Sequence, residues 1–359
     1  VTSIGKEAFD SCKSLKSIII PDSVKSIGEY AFCCCESLKH ITLLEGVESI
    51  GYRVFHKCAL LTSMTLPDSV TSIGKEAFNS CESLKSITIP NSVKSIGEDA
   101  FNGCSSLTAI EVAKGNTVYD SRENCNALIH TATNTLIRGC QNTTIPNSVT
   151  TIGKNAFHDC HSLKSIIIPN SVTSIGEMAF DRCHSLTTIE VAKRNTMYDS
   201  RENCNALIHT ATNTLICGCK NTTIPDSVTS IGDEAFRDCD SMQSVTIPDN
   251  VVRIGENAYR YCEKVYNGGI ESYEQFQTFI NLCQNFVNIC NFNSKNIRNR
   301  INRCRIDSSK HSNSKNVTLM WECVNQVIVI VPASNKSESS IGRCKIYINV
   351  NTSILRCYI

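Results

Sequence analysis

Several features that mark enzymes and membrane proteins are missing from this chain of 359 residues. It contains no GxSxG, HExxH or glycine-rich phosphate-binding pattern. The longest apolar run near its end, Val327 to Val331, is far shorter than the ~20 residues that span a bilayer. The sequence therefore predicts no catalytic site, no cofactor and no membrane insertion.

An excess of charge of either sign is also missing. The chain has 35 Lys and Arg residues against 34 Asp and Glu residues, which gives a formal net charge of +1. A nucleic-acid or anionic-membrane partner would leave a basic surplus in the composition. We therefore expect no nucleic-acid partner.

What the chain does contain is a repeat. The segment PDSVTSIGKEAFNSCESLKSITI, residues 67–89, returns with few changes, and its start at Pro67 lies 23 residues before the next start at Pro90. With a partial copy at Val1 there are nine copies, and the other starts are Pro21, Leu44, Pro67, Pro90, Pro146, Pro169, Pro225 and Pro248. Such a fixed period is typical of a solenoid.

Each copy reads as a strand followed by a turn and a return segment. LKSITI, residues 84–89, has the β-branched alternation of a short strand, and Pro90 ends it because proline has no N–H to donate. We assign Gly74 to a tight turn, followed by a short helical or irregular return. The predicted structural core is formed by Phe78, Cys81, Leu84 and Ile87.

A single copy cannot bury its own apolar face, whereas stacked copies bury Phe on Phe and Ile on Ile. The sequence therefore predicts a repeat solenoid with a curved parallel β-sheet on its concave side. Residues 1–265 form this solenoid, and residues 266–359 form a non-repeat tail. We expect a capping helix at 271–290 and otherwise irregular chain, with short apolar runs such as VNQVIVIV that allow strands.

Cysteine is abundant, with 22 residues, but its positions follow the repeat. Nine of them occupy the same place in successive copies: Cys12, Cys35, Cys58, Cys81, Cys104, Cys160, Cys183, Cys239 and Cys262. Free Cys is among the most buried residue types, so a column of buried thiols is the favoured interpretation. Disulfide bridging within the column is the alternative.

The recurring elements IPDSV, SIG, AF, C and SLKSI resemble the BspA-like class of leucine-rich repeats found in surface proteins of some bacteria and protozoan parasites. This resemblance implies a protein that is at the cell surface or secreted, with a role in adhesion to a protein or glycan. The chain opens within a repeat at Val1, without Met, so we expect a piece of a longer protein. Its oligomeric state is not predicted.

Two insertions of 33 residues lie at 113–145 and 192–224. They increase the spacing to the next start from 23 to 56 residues after Pro90 and after Pro169. They differ at four places: Gly115/Arg194, Val118/Met197, Arg138/Cys217 and Gln141/Lys220. Two apolar segments around a polar turn predict a β-hairpin in each, which protrudes from the stack or widens it. The candidate binding residues there are Tyr119, Arg122 and His130 with their copies Tyr198, Arg201 and His209.

The outward positions of the LKSITI strands are neutral and rich in Ser and Thr, with Glu111 and Glu190 as further candidate binding residues. They favour a non-enzymatic interaction or adhesion module. The alternative is a spacer or stalk, because these residue types are also ordinary exposed strand residues.

Three clusters of cysteine or histidine carry weaker signals. HDCH, residues 158–161, lies one copy before Cys183 and His184, which would suit zinc, but we favour a solvated loop because other copies have Glu82 and Ser105 there. Neither CCC at residues 33–35 nor CGC at residues 217–219 has a second pair at the spacing of a metal finger. The sequence therefore predicts no metal site.

Overall fold

The computed structural model describes residues 1–262 except 240, 241, 243, 244 and 249, and residues 319–323, 326–332, 344–350 and 353–358. Residues 1–262 form a β-solenoid of stacked parallel strands, which confirms the predicted fold class. Each 23-residue copy is one coil of the solenoid. The predicted capping helix at 271–290 lies outside the described residues.

Each 23-residue copy up to residue 191 contributes two strands rather than one, and SI strands are also described in the two copies that start at Pro225 and Pro248. Four-residue strands at the SITI position form one set, with a two-residue member: β2 (Ser17–Ile20), β4 (His40–Leu43), β6 (Met64–Thr65), β8 (Ser86–Ile89), β10 (Ala109–Val112), β15 (Ser165–Ile168) and β17 (Thr188–Val191). Two-residue strands at the SIG position form the other: β1 (Ser3–Ile4), β3 (Ser26–Ile27), β5 (Ser49–Ile50), β7 (Ser72–Ile73), β9 (Ser95–Ile96), β14 (Thr151–Ile152), β16 (Ser174–Ile175), β21 (Ser230–Ile231) and β22 (Arg253–Ile254). We call them SITI strands and SI strands.

Both sets pair in register with the same residues of the next coil. In the SITI set, Ile87 lies opposite Ile110, and in the SI set, Ile73 lies opposite Ile96. Alternation in β8 buries Ile87 and Ile89 and exposes Ser86 and Thr88. The strand predicted at 84–89 is thus present, whereas the SIG segment, predicted as a turn only, also forms a strand.

Of the two forms predicted for the return segment, helical or irregular, the structure has the irregular one over Ala77 and Phe78. The N–H groups of Glu76, Phe78 and Ser80 donate to the next coil, over distances of 2.8–3.0 Å. The N–H groups between them donate three residues back within the coil, as from Ala77 to Gly74 at 3.3 Å. Because alternate N–H groups are used between coils, an α-helical pattern of hydrogen bonds cannot be completed.

This alternation forces non-glycine residues into the left-handed region of the backbone. Glu76 has φ 55° and Ser80 has φ 61°, and the other coils have a left-handed residue at both of these positions. Left-handed backbone costs an L-residue roughly 1–2 kcal/mol. The hydrogen bonds and packing between coils offset that cost.

Glycine serves a different purpose from the one predicted. Gly74 does not have a left-handed φ, but a Cβ atom added to it would lie 2.6 Å from the backbone carbon and oxygen of Gly51 in the preceding coil. The position is therefore reserved for glycine by the close approach of two backbones.

The apolar columns are continuous along the stack. Phe78 is fully buried and stacks between Phe55 and Phe101, with ring centroids 5.3 and 5.4 Å away. Cys81, Leu84 and Ile87 are also buried, at exposures of 0–2%. They lie in the same core cluster as Phe78.

The nine column cysteines are all free thiols, six of them buried and three half-buried, which confirms the predicted thiol column. Cys81 Sγ donates to the backbone oxygen of Phe55 at 3.2 Å, and Cys104 Sγ to that of Phe78 at 3.3 Å. Burial raises the pKa of Cys104 to about 12, so this thiol stays protonated and unreactive at neutral pH. Cysteine here is a small apolar residue that also satisfies a carbonyl group.

The insertions join the stack as predicted hairpins with one additional strand. In the first, β11 (Tyr119–Asp120), β12 (Leu128–His130) and β13 (Thr135–Arg138) are antiparallel, and β13 then pairs in parallel with β14. The second repeats this with β18 (Tyr198–Asp199), β19 (Leu207–His209) and β20 (Thr214–Cys217). Each hairpin thus takes the place of an SI strand in the stack.

The described residues of the tail form strands, which the short apolar runs in the tail allow. Four strands form an antiparallel sheet in sequence order: β23 (Leu319–Cys323), β24 (Gln326–Pro332), β25 (Cys344–Val350) and β26 (Ser353–Tyr358). The β-branched run in β24 suits such a strand.

Replacing Phe78 tests the aromatic column. Phe78→Ala should lower the free energy of unfolding by about 3 to 5 kcal/mol, because it opens a cavity between two stacked rings. Chemical denaturation measures this, with the exposed Ser86→Ala as control, expected within about 0.5 kcal/mol of the parent. Equal stability of Phe78→Ala and the parent would show that the column is not a tightly packed core.

Replacing Gly74 tests the close approach of the coils. Gly74→Ala should lower the free energy of unfolding by about 1 to 3 kcal/mol, because the new methyl group meets backbone that cannot move aside easily. The matched control is Gly5→Ala, whose added Cβ has no atom within 4 Å. If both variants unfold at the same denaturant concentration, the contact with Gly51 does not restrict this position.

Candidate functional site

The candidate binding residues of the insertions lie close to the junction with the preceding coil. Asn116 makes this junction: its Nδ2 donates to the backbone oxygens of Pro90 and Val93, at 2.8 and 3.0 Å. Its Oδ1 accepts from the N–H groups of Val118 and Tyr119, both at 2.9 Å. The sequence pattern did not single out Asn116, although it recurs as Asn195 with the same bonds.

Tyr119 is buried, with 5% of its surface exposed. Its hydroxyl oxygen accepts the N–H of Ile96 at 2.9 Å, so it caps the open edge of β9. Its ring packs edge-on against His130, with centroids 5.8 Å apart. His130 is half-buried, and its Nδ1 lies 3.1 Å from Oγ1 of Thr133. Tyr198 and His209 repeat this arrangement in the second insertion.

Arg122 ties the insertion to the coil that follows it. Its Nε donates to Asp120 at 2.7 Å, and its Nη1 donates to Asn134 Oδ1 at 3.0 Å and to Ser148 Oγ at 3.2 Å. Burial favours the neutral form of Asp120, but the bonds from Arg122 outweigh burial and hold its pKa below the ordinary value. Arg201 makes the equivalent bonds to Asp199, Asn213 and Ser227.

These contacts show that the aromatic ring and the guanidinium group of each insertion are largely used within the molecule. The side chain of Arg122 is 25% exposed, and that of Arg201 is 26% exposed. A ligand bound at the insertions would therefore contact only the exposed edges of the tyrosine and arginine side chains, together with the histidines. Their role in binding stays a prediction.

Glu111 and Glu190 lie elsewhere, on the exposed face of the SITI strands. Each is exposed and belongs to the last SITI strand before an insertion, β10 or β17, which pairs on one side only among the described strands. The neighbouring outward position holds Thr88 beside Glu111 and Ile167 beside Glu190. The Ile167 side is apolar and open, since 58% of its surface is exposed.

The HDCH segment is only partly a solvated loop. The His161 side chain is 46% exposed, as expected, and its ring lies 4.8 Å from that of His184. His158 is different: its side chain is 15% exposed and lies between Asp159 and Asp181, at 3.0 and 3.2 Å. This arrangement was not predicted from the sequence, because Asp181 comes from the next coil.

Thiols do not turn toward these histidines. Cys160 is 3% exposed, and Cys183 Sγ donates to the backbone oxygen of Phe157 at 3.2 Å. In the part of the chain that the structure describes, one group has three ligand atoms close enough for a metal: Asp10, Cys33 and Cys34, within 4.8 Å of one another. Burial and the adjacent Cys34 raise the pKa of Cys33 to about 12, which disfavours the thiolate that a metal needs.

The fold and these contacts define a leucine-rich-repeat solenoid interrupted by two duplicated insertions. A family model described as the BspA type leucine rich repeat region matches residues 2–128, 137–216 and 214–322. The chain belongs to this family.

Three solved structures of bacterial proteins are similar to this chain. A leucine rich cell surface protein from Faecalibacterium prausnitzii is 30% identical, with 77% of this chain and 79% of that chain covered and a TM-score of 0.48. A leucine-rich repeat protein from Eubacterium ventriosum is 24% identical, with 76% and 84% covered and a TM-score of 0.49. A leucine rich repeat protein of T. pallidum is 29% identical, with 52% and 72% covered and a TM-score of 0.36. No curated protein gives a significant match.

Membership of this family indicates a protein-interaction or structural role, and proteins of this repeat type are generally non-enzymatic. The solenoid offers the broad surface that such proteins use for binding proteins. Within the described residues, no helix has the length and apolar character needed to cross a bilayer.

The position of His158 predicts a pH dependence of stability. Burial disfavours its charged form, but the two carboxylates outweigh burial and raise its pKa from 6.5 to about 9. A raised pKa stabilises the fold fully below pH 6.5, and this contribution is lost as the pH rises through about 9.

His158→Gln should therefore destabilise the protein by on the order of 3 kcal/mol at pH 6 and by much less at pH 10. Denaturant titrations of the parent and the variant at both pH values measure the difference. His161→Gln is the matched control and should have a small effect at both. A His158→Gln effect that is the same at pH 6 and pH 10 would contradict the charged pair.

Proposed function

We propose that the chain is a non-enzymatic adhesion or interaction module of a cell-surface or secreted protein. It binds a protein or glycan partner through the exposed face of the SITI strands and the adjoining insertions. The candidate contacts are Glu111, Glu190, His130 and His209, whereas Tyr119, Arg122, Tyr198 and Arg201 hold the insertions in place.

The observation that carries this proposal is the repeated association of a carboxylate with an insertion. Glu111 and Glu190 are one duplication unit apart and occupy equivalent outward positions, where most other coils have Thr or Ile. Each lies on the strand whose last residue bonds to the insertion: Val112 N–H donates to Ser121 Oγ at 3.0 Å, and Val191 N–H to Ser200 Oγ at 2.9 Å. A partner that contacts both the strand face and the insertion would thus find the same chemistry at two places.

Binding at two equal sites would also favour a repetitive partner. Two weak contacts held on one rigid array raise the overall affinity well above that of each contact, because the second contact forms without a new loss of translational freedom. Glycan chains and fibrous proteins present such repeated epitopes. This argument applies only to the duplicated pair of sites around Glu111 and Glu190.

The alternative function, a spacer or stalk, is favoured by a different observation. The residue types that usually anchor a partner, Tyr and Arg, are here bonded to Ile96, Asp120, Asn134 and Ser148 of the same chain. In a spacer, the insertions would only extend the stack. The two functions differ in whether the exposed carboxylates affect any binding.

Reversing the charge of the paired carboxylates tests the proposal. The double variant Glu111→Lys with Glu190→Lys should lose at least about tenfold in affinity, equivalent to ~1.4 kcal/mol, for a partner found by the parent on a glycan array or a panel of purified extracellular-matrix proteins. The side chains are exposed, so the folded structure should be retained. Surface plasmon resonance measures the affinity, and thermal melting checks the fold.

The matched control is the double variant Glu48→Lys with Glu82→Lys, which makes the same change of net charge at exposed positions outside the SITI strands. It should bind as the parent does. If both double variants bind equally, the SITI face does not carry the site. If the parent binds no probe in either panel, the spacer function is supported instead.

A further inference from the structure

The two insertions leave unequal cavities on the return side of the solenoid. In each, a short segment replaces the longer return of an ordinary coil. Gly139 takes the place of the column phenylalanine, with its N–H donating to Ala156 O at 2.8 Å, and Gly218 does the same with Ala235 O at 2.8 Å. A Cβ atom at Gly139 would lie 2.2 Å from the ring of Phe157, and one at Gly218 would lie 2.0 Å from the ring of Phe236, so the ring of the following coil packs against each glycine and the aromatic column is interrupted. The free space of each cavity lies beside the residue before the glycine, Arg138 or Cys217.

In the first insertion, Arg138 fills much of this space. Its surface is 4% exposed, and its Nη1 donates to the backbone oxygens of Asn155 and His158, at 3.2 and 2.9 Å. The volume that remains beside it, the first cavity, is about 160 Å³. Among the described residues, its Nε and Nη2 have no hydrogen-bond partner. The guanidinium group therefore fits the first cavity, but only one of its three nitrogen atoms donates a hydrogen bond there.

In the second insertion, the equivalent residue is Cys217, one of the four differences between the copies. Its thiol donates to the neighbouring Gly218 O at 3.5 Å. The second cavity has a volume of about 430 Å³. Glu234 and Arg237 stand where Asn155 and His158 stand in the first copy. The place that a guanidinium group occupies in one copy is thus open in the other.

The charges around the two cavities also differ. Two acidic residues and two basic ones line the first cavity: Glu98, Asp99, Arg138 and Lys154. Five acidic residues and a single basic one line the second: Glu177, Asp181, Asp233, Glu234, Asp238 and Arg237. The second cavity therefore has one basic residue fewer and three acidic residues more than the first.

Two of these carboxylates are buried. The side chain of Asp181 is 5% exposed, and its Oδ2 makes no well-oriented hydrogen bond within the described residues, although His158 Nε2 lies 3.2 Å away. The side chain of Asp238 is 10% exposed, and its Oδ2 lies 3.4 Å from Arg237 Nε and 3.5 Å from Arg182 Nε without a well-oriented hydrogen bond to either. Burial and the charge of Asp181 raise the pKa of Asp238 above its ordinary value. His158 beside Asp181, and Arg182 and Arg237 beside Asp238, offset part of this repulsion. Because the pKa of Asp238 is nevertheless raised, a further positive charge would offset more of it.

We propose that the second cavity binds the guanidinium group of an arginine side chain presented by a partner protein. The bound group takes the place that Arg138 occupies in the first copy, where backbone oxygens already accept from a guanidinium group. Asp181 supplies a carboxylate acceptor where the first cavity has Asn102, and Asp238 supplies a second, whose equivalent in the first copy, Asp159, does not line the first cavity. Planar, charge-assisted hydrogen bonds of this kind favour arginine over lysine.

Two features of the second cavity compete with a bound arginine, and each gives a different experimental outcome. Arg237 donates to Glu234 Oε1 at 2.9 Å and lies within 3.8 Å of Asp181 Oδ1, so it could neutralise the cavity without a ligand. The thiols of Cys183, Cys219 and Cys239 and the side chain of Leu207 also line the cavity, and would suit an uncharged ligand. Comparing charged and neutral probes distinguishes both cases from a bound guanidinium group.

The probes are N-acetyl-arginine amide, the lysine analogue, and the citrulline analogue, which has nearly the shape of arginine without its charge. Isothermal titration calorimetry on the full chain should show saturable binding of the arginine probe. Its affinity should exceed that of the citrulline and lysine probes by at least about tenfold. Absence of arginine binding, or equal binding of the citrulline probe, would overturn the proposal.

Two variants locate the binding. Cys217→Arg places the chain's own guanidinium in the second cavity, so it should raise the melting temperature and abolish binding of the arginine probe. Asp238→Asn keeps the shape of the cavity and removes a carboxylate, so it should stay folded and weaken arginine binding by at least about tenfold. Unchanged binding in a folded Asp238→Asn variant would overturn the proposal even if Cys217→Arg fails to fold.

The control is Arg138→Cys, which opens the first cavity without adding carboxylates. It should lower the melting temperature and leave binding at the second cavity unchanged. None of these residues belongs to the outward positions of the SITI strands, so this test and the charge-reversal test at Glu111 and Glu190 can fail independently.

Discussion

The whole architecture depends on backbone hydrogen bonds that run from one coil to the next. Within each return segment, alternate N–H groups donate to the following coil, as from Phe78 to Ala100 at 2.8 Å. These bonds fix the distance between coils, and that distance in turn decides which side chains fit. Gly74 is needed because the backbones nearly touch there, and phenylalanine rings fit because stacked rings have a similar separation. Because these bonds pair equivalent groups of successive coils, each coil needs the same number of residues, and the sequence is periodic for that reason.

The cysteine column follows from the same constraint. A buried carbonyl oxygen with an unused lone pair is costly, and the Phe55 oxygen has the Cys81 thiol as a second donor besides the N–H of Cys58. Alanine would fill less space and leave the oxygen with one donor, whereas serine would be harder to desolvate. Cysteine combines apolar volume with a weak donor, which accounts for its recurrence without any disulfide bond.

The period, the core residues and the hairpins could be predicted from the sequence because each is repeated in register. The two-residue SI strands could not be, since a pair such as Ser72 and Ile73 is too short to show a period. The sequence does not decide between an irregular and a helical return segment, because the hydrogen bonds of this segment go to residues about 22 positions away. The sequence predicts Tyr119 and Arg122 as binding residues and His158 as part of a solvated loop, because it does not show the contacts that these side chains make with other coils, to Ile96, Ser148 and Asp181 respectively. The importance of Arg138 and Cys217 depends on the cavity around them, which no local pattern encodes.

The left-handed residues have a consequence for how the chain folds. Each coil carries two of them, so one coil alone is unfavourable, and its stability comes almost entirely from its interfaces with neighbours. Such an array behaves like a line of coupled units, with costly initiation and favourable growth. Within the described residues, the buried side chains form three clusters, and their boundaries fall at the two insertions, where the aromatic column is interrupted. We therefore expect the coupling between coils to be weakest at those junctions and the solenoid to unfold as three cooperative blocks, with the two cavities where one block meets the next.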